Sequence, residues 1–67
     1  MDVELNGELQ TVGKEITIRA LVNEVAGQER GVAVAVNGAV LPRAQWDITL
    51  ADAQAVSIDI ITAVQGG

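Results

Sequence analysis

Asp2-Val3-Glu4-Leu5-Asn6-Gly7-Glu8-Leu9-Gln10-Thr11-Val12 holds two runs of alternating polar and apolar residues on either side of an Asn-Gly pair. Period-two alternation is the signature of a half-buried strand, and a type I′ turn needs positive φ at both central residues, which Asn-Gly supplies. The stretch therefore predicts a β-hairpin with strands over 1–5 and 8–12. Val3, Leu5, Leu9 and Val12 are expected on the core face, with Glu4, Glu8 and Gln10 in water.

Past the turn Gly13-Lys14-Glu15 the period changes. Ile18, Leu21, Val22 and Val25 fall at i, i+3, i+4 and i+7, which is one stripe of a helix. Thr17 is placed to cap its start and Gly27 to end it in the left-handed conformation. The β-branched Ile16-Thr17-Ile18 also suits strand, so the start carries a margin of two or three residues. Arg19, Asn23 and Glu24 make the solvated face.

Gln28-Glu29-Arg30-Gly31 reads as a loop. Val32-Ala33-Val34-Ala35-Val36 then reads as a third strand, valines on one face and alanines on the other. Asn37-Gly38 marks a second tight turn, and Ala39-Val40-Leu41 a short continuation stopped by Pro42, which cannot donate to a ladder. Arg43-Ala44-Gln45-Trp46 makes an irregular or one-turn helical link. Trp46, the single aromatic residue, is expected to plug the edge of the core with its indole N–H on a carbonyl. Asp47-Ile48-Thr49-Leu50 forms a small edge strand or a turn, and Ala51-Asp52-Ala53-Gln54 a polar loop. The apolar run Val56 to Val64 is the last strand, Val56, Ile58 and Ile60 facing one way and Ser57, Asp59 and Ile61 the other.

The order is thus strand, strand, helix, strand, short element, strand, an α+β layer arrangement with the helix on one sheet face. With the last strand beside the first the two run parallel, and the crossover through the helix is right-handed. That is the ubiquitin-like β-grasp: a mixed sheet of four to five strands, one main helix, and a domain spanning 1–64 ahead of a flexible tail, 65–67.

Composition narrows the function. With 67 residues and neither cysteine nor histidine, a disulfide, a Cys/His metal site, a thiol nucleophile and a Ser-His-Asp triad are all excluded. Ser57 has no base to activate it, and Asp59 has no partner for acid/base work. The chain is too short to enclose an ordinary substrate pocket, so it is expected not to be an enzyme and to bind no metal or cofactor. Nine acidic residues against four basic give a net charge of −5, which argues against nucleic acid and anionic membrane and favours a basic protein partner. Stacking on single-stranded nucleic acid needs several rings, and there is one. No run is long enough to span a membrane and no export signal is visible, so a cytoplasmic location is expected.

What remains is the end, Ala63-Val64-Gln65-Gly66-Gly67. From Val64 to Gly67 an extended chain reaches roughly 13 Å at about 3.3 Å per residue, enough to enter a narrow cleft while the globular part stays outside. Glycines have no Cβ, so an enzyme can close main-chain hydrogen bonds around the thread. A frayed end carries the same residues, so the tail gains meaning from what it is attached to.

That attachment is informative. Val34-Ala35-Val36-Asn37-Gly38-Ala39-Val40-Leu41-Pro42-Arg43-Ala44-Gln45-Trp46 resembles the signature of the ThiS family, the sulfur carriers of bacterial thiamin biosynthesis. Thr17-Ile18-Arg19-Ala20-Leu21-Val22 is similar to that family's helix opening, and Ala63 to Gly67 to its usual end. Three departures stand out: Ala53-Gln54 replaces a common Gly-Asp pair, removing glycine's freedom from that turn, Leu41 stands where valine is usual, and the hairpin before the helix is about one residue long for the family. The resemblance implies that Gly67 is the reacting residue. An E1-like adenylating enzyme of the ThiF type, using ATP and magnesium, activates its carboxylate, and a sulfur donor enzyme converts it to a thiocarboxylate. Thiazole synthase of the ThiG type then takes the sulfur. Val64, Gln65 and Gly66 enter the partner's active site, and Ile61 and Val64 contribute to docking. Two alternatives share the fold: a carrier for another pathway, such as the small subunit of molybdopterin synthase, and a ubiquitin-like protein modifier. A non-covalent binding module with an inert tail is a third reading.

Overall fold

The computed structural model describes residues 1–62. Five strands, β1 (Asp2–Leu5), β2 (Glu8–Thr11), β3 (Val32–Val36), β4 (Ala39–Val40) and β5 (Ser57–Thr62), form one sheet in the order β2-β1-β5-β3-β4. β1 and β5 are parallel, and the other pairs antiparallel. A single α-helix, α1 (Ile18–Ala26), packs on one face, and a 3-10 turn, Arg43–Gln45, lies on the connection from β4 to β5. This is the predicted β-grasp.

The helix forms where the apolar period predicts it. Thr17 stays extended and its hydroxyl accepts from the Ala20 N–H at 3.1 Å, and Gly27 closes the far end at φ 75° with its N–H on the Asn23 carbonyl. Ile18, Leu21 and Val22 meet Val3, Leu5, Val34, Val36, Ile58 and Ile60 from the sheet. Val25, expected on the same stripe, is 44% exposed in the last turn. Trp46 lies fully buried beside Leu50, its indole N–H donating to the Leu41 carbonyl at 3.0 Å.

Leu9 corrects the hairpin's expected inward set. It is 75% exposed, and the cause is register: the two-residue turn pairs Leu5 with Glu8, Val3 with Gln10 and Glu4 with Leu9. Directly opposed residues share a sheet face, so Leu9 sits with Glu4 on the side away from the helix. Val12, beyond the strand, is partly buried against the core as expected.

The segment 47–50 is a turn rather than a strand. It is tied to the helix start by Ile18 N–H to Ile48 O at 3.0 Å and Leu50 N–H to Ile16 O at 2.9 Å. The polar loop after it is a single capped helical turn. Thr49 Oγ1 accepts from Asp52 N–H, Ala53 N–H reaches the Thr49 carbonyl, and Gln54 adopts a left-handed φ of 52°. The bonds Ala55 N–H to Leu50 O and Gln54 N–H to Ala51 O, with Leu50 and Ala55 both buried, make a Schellman closure. The left-handed position thus falls on Gln54, one residue after Ala53. Val56 is correspondingly outside β5 and 70% exposed, not inward with Ile58 and Ile60.

Candidate functional site

β5 is the central strand, and the segment expected to react lies directly beyond it. It exchanges backbone bonds with β1 on one side and β3 on the other, while Ile58 and Ile60 anchor it in the core. Two side chains add to these ladders. Asn37, at φ 53°, accepts on Oδ1 from Val56 N–H at 2.7 Å and Ser57 N–H at 3.1 Å, and donates from Nδ2 to the Gln54 carbonyl at 3.0 Å. Asn6, at φ 51°, accepts on Oδ1 from Ile60 N–H at 2.8 Å. The asparagines that make the two tight turns therefore also clasp the strand between them. The Asn-Gly pattern in the sequence signals only their turn role.

The alternate residues of β5 face away from the helix. Asp59 is exposed, as expected, and Ile61 is 59% exposed. Register places Ala33 opposite Ile61, and Ala35 opposite both Asp59 and Val40. Val40 is 75% exposed. Across the sheet the same face carries Glu4, Leu9 and Asp2, the last accepting from the Thr11 hydroxyl at 2.8 Å. The open face is thus apolar residues set among carboxylates, a surface suited to a basic partner with apolar anchors.

A second cluster braces the helix against the β4 link. Arg19 donates from Nε to Asp47 at 2.9 Å, from Nη1 to Glu29, and from Nη2 to the Arg43 carbonyl at 3.2 Å. Glu29 also receives Arg43 Nη2 at 3.2 Å and Asn23 Nδ2 at 2.9 Å, and both guanidiniums lie over the Trp46 ring, 5.8 and 6.0 Å from its centre. The Asn23 amide and the two arginines hold the Glu29 carboxyl below its ordinary range, and the bond to Asp47 raises the Arg19 guanidinium. Arg19 and Asn23, expected as plain solvated face, are structural ties.

Among the described residues there is no enclosed cavity and no cluster of three or more carboxylates able to hold a metal. No helix is long and apolar enough to cross a membrane. Val64, Gln65, Gly66 and Gly67, the predicted tail residues, lie outside the described residues, as does the second docking position at Val64.

The geometry defines a ubiquitin-like β-grasp domain whose central strand leads to the C-terminal segment and whose helix-free face is open. The ThiS family model matches residues 3–67, and the chain belongs to that family. Among solved structures it is similar to the thiamine biosynthesis protein ThiS from Geobacter metallireducens, at 26% identity over 100% of both chains with a TM-score of 0.71. No curated relative matches the chain. Family and neighbour together support a sulfur carrier of thiamin biosynthesis.

Proposed function

We propose that the protein carries sulfur as a thiocarboxylate on Gly67 and is a substrate of its partners, not a catalyst. The observation that carries this is the family match, which runs from residue 3 to the terminal Gly-Gly. In this reading residues 65–67 serve as the tail of a domain spanning 1–64, and Val64, Gln65 and Gly66 thread into the partner.

The chemistry starts from a carboxylate's poor leaving group. An E1-like enzyme of the ThiF type presents magnesium-bound ATP. A Gly67 carboxylate oxygen attacks the α-phosphorus, pyrophosphate leaves, and an acyl-adenylate forms. A persulfide on a sulfur donor enzyme attacks the acyl carbon, AMP departs, and reductive cleavage of the resulting S–S bond by a thiol leaves the thiocarboxylate. A synthase of the ThiG type then takes the sulfur into a thiazole. The carrier contributes positioning: Ile61 with Val64 docks the apolar part of the open face, and the carboxylates around it steer a basic partner. The reaction belongs to the cytoplasm, where ATP and reduced thiols are supplied.

Intact mass measured after incubation with magnesium-ATP, the adenylating enzyme and a sulfide source tests this. One terminal oxygen exchanged for sulfur is the expected result, lost on deletion of Gly67. A mass that never changes refutes the reading, and isopeptide conjugates in place of the exchange identify a protein modifier.

A further inference from the structure

Both tight turns of the sheet are Asn-Gly, the dipeptide in which an unhindered glycine amide can close on the preceding side chain. The geometry points to Asn6 as a site of spontaneous deamidation in the folded protein and to Asn37 as a site protected from it. In this reaction the Gly7 nitrogen attacks Asn6 Cγ, a C–N bond forms and the Cγ–Nδ2 bond breaks. Ammonia leaves carrying the amide proton, and water then opens the cyclic imide to aspartate or isoaspartate.

The two sites differ in what must be broken before Cγ can rotate onto the glycine nitrogen. At Asn37 three hydrogen bonds hold the carboxamide, to Val56 N–H, Ser57 N–H and the Gln54 carbonyl, engaging both its oxygen and its nitrogen. At Asn6 a single bond holds it among the described residues, from Ile60 N–H. The products differ as well. An aspartate at position 6 still offers an oxygen to Ile60 N–H, now as a charge-assisted acceptor. At position 37 it would set a carboxylate oxygen against the Gln54 carbonyl, two acceptors with no proton between them. Isoaspartate at position 6 adds a methylene to the main chain, disturbing the pairing of Leu5 with Glu8 that the two-residue turn fixes.

The test is to hold the intact protein in warm, mildly alkaline buffer and map deamidation by proteolysis and mass spectrometry, beside a sample in denaturant. Folded protein should convert Asn6 faster than Asn37 by about tenfold or more, the ratio for two extra hydrogen bonds broken. The denatured chain should convert the two at comparable rates. Equal rates in the folded protein, the same bias persisting in denaturant, or no conversion of folded Asn6 while the denatured chain reacts would each overturn the proposal. As a second measurement, N37D should unfold roughly 5 °C or more below wild type while N6D stays close to it. Equal shifts would also overturn it.

Discussion

Replacing Gln54 by glycine should stabilise the protein. Gln54 sits at φ 52° in the Schellman closure before β5, where an L-residue's Cβ crowds the following carbonyl at a cost of roughly 1–2 kcal/mol. Glycine removes that strain but frees the unfolded chain, giving back roughly 0.5–1 kcal/mol. The net gain is about 0.5–1 kcal/mol, which in a domain of this size raises the midpoint by roughly 4 °C. Nothing else is lost, because position 54 contributes through its backbone: its N–H reaches Ala51 O and its carbonyl receives Asn37 Nδ2. Ala53→Gly is the control. Ala53 is not among the positive-φ residues and its methyl packs against the core. Glycine there relieves no strain, frees the unfolded chain and removes a packed methyl, and should cost at least roughly 0.5–1 kcal/mol. Thermal and urea unfolding followed by Trp46 fluorescence reads both variants. If Ala53→Gly stabilises as much as Gln54→Gly, the assignment of the left-handed residue is wrong.

Leu9→Lys should leave stability within about 0.5 kcal/mol, since the side chain is exposed opposite Glu4. A loss above about 2 kcal/mol by urea titration would return Leu9 to the core. Glu29→Gln should flatten the acid limb of the stability curve. Because the folded-state value is depressed, the carboxylate's contribution is full above its ordinary 4.5 and drains away as pH falls through the lower folded value. A wild-type slope surviving in the variant below that pH would remove Glu29 as its source. Ile61→Thr keeps a β-branched residue on β5, so the fold should be unaffected while affinity for the adenylating enzyme falls about tenfold by calorimetry. Asp59→Lys should slow association and reduce its salt dependence in stopped-flow mixing, and unchanged rates would count against the steering role.

The elements set by local chemistry were legible. Asn-Gly between alternating runs, a 3.6-residue stripe opened by Thr17 and closed by Gly27, and a lone tryptophan near a proline each carry their physics within a few residues. Leu9 was legible too, from a rule applied one step further. A two-residue turn makes Leu5 and Glu8 directly opposed, and opposed residues share a face, so the apolar face of β1 must continue into Glu8 and Gln10. These stay exposed because β2 is the sheet's outermost strand. Val56 was misplaced by carrying period two back into a residue whose N–H belongs to Asn37. The Arg19 ties could not be read, since they join residues 28, 10 and 24 apart in sequence. The open-face position of Ile61 followed from alternation, but its neighbours Ala33 and Val40 needed the strand order.

β5 divides its labour by parity. Ile58 and Ile60 point into the core, while Ser57, Asp59 and Ile61 point to the open face, so one strand both anchors the fold and lines the face proposed for docking. Its position between β1 and β3 gives that division mechanical meaning. An edge strand can peel away at the cost of one ladder, but β5 cannot leave without breaking two, together with the clasps from Asn6 and Asn37. Its opening therefore costs close to the whole stability of the fold. Ile61 and Thr62 pair with β3 alone, because the β1 ladder ends at Ile58. A partner that grips the chain beyond Thr62 therefore meets one ladder first, and then the doubly held part of the strand from Ile60 inward. The proposed docking on Ile61 would brace that singly held end. The same residues that make the sheet fold thus determine where the end proposed to react begins.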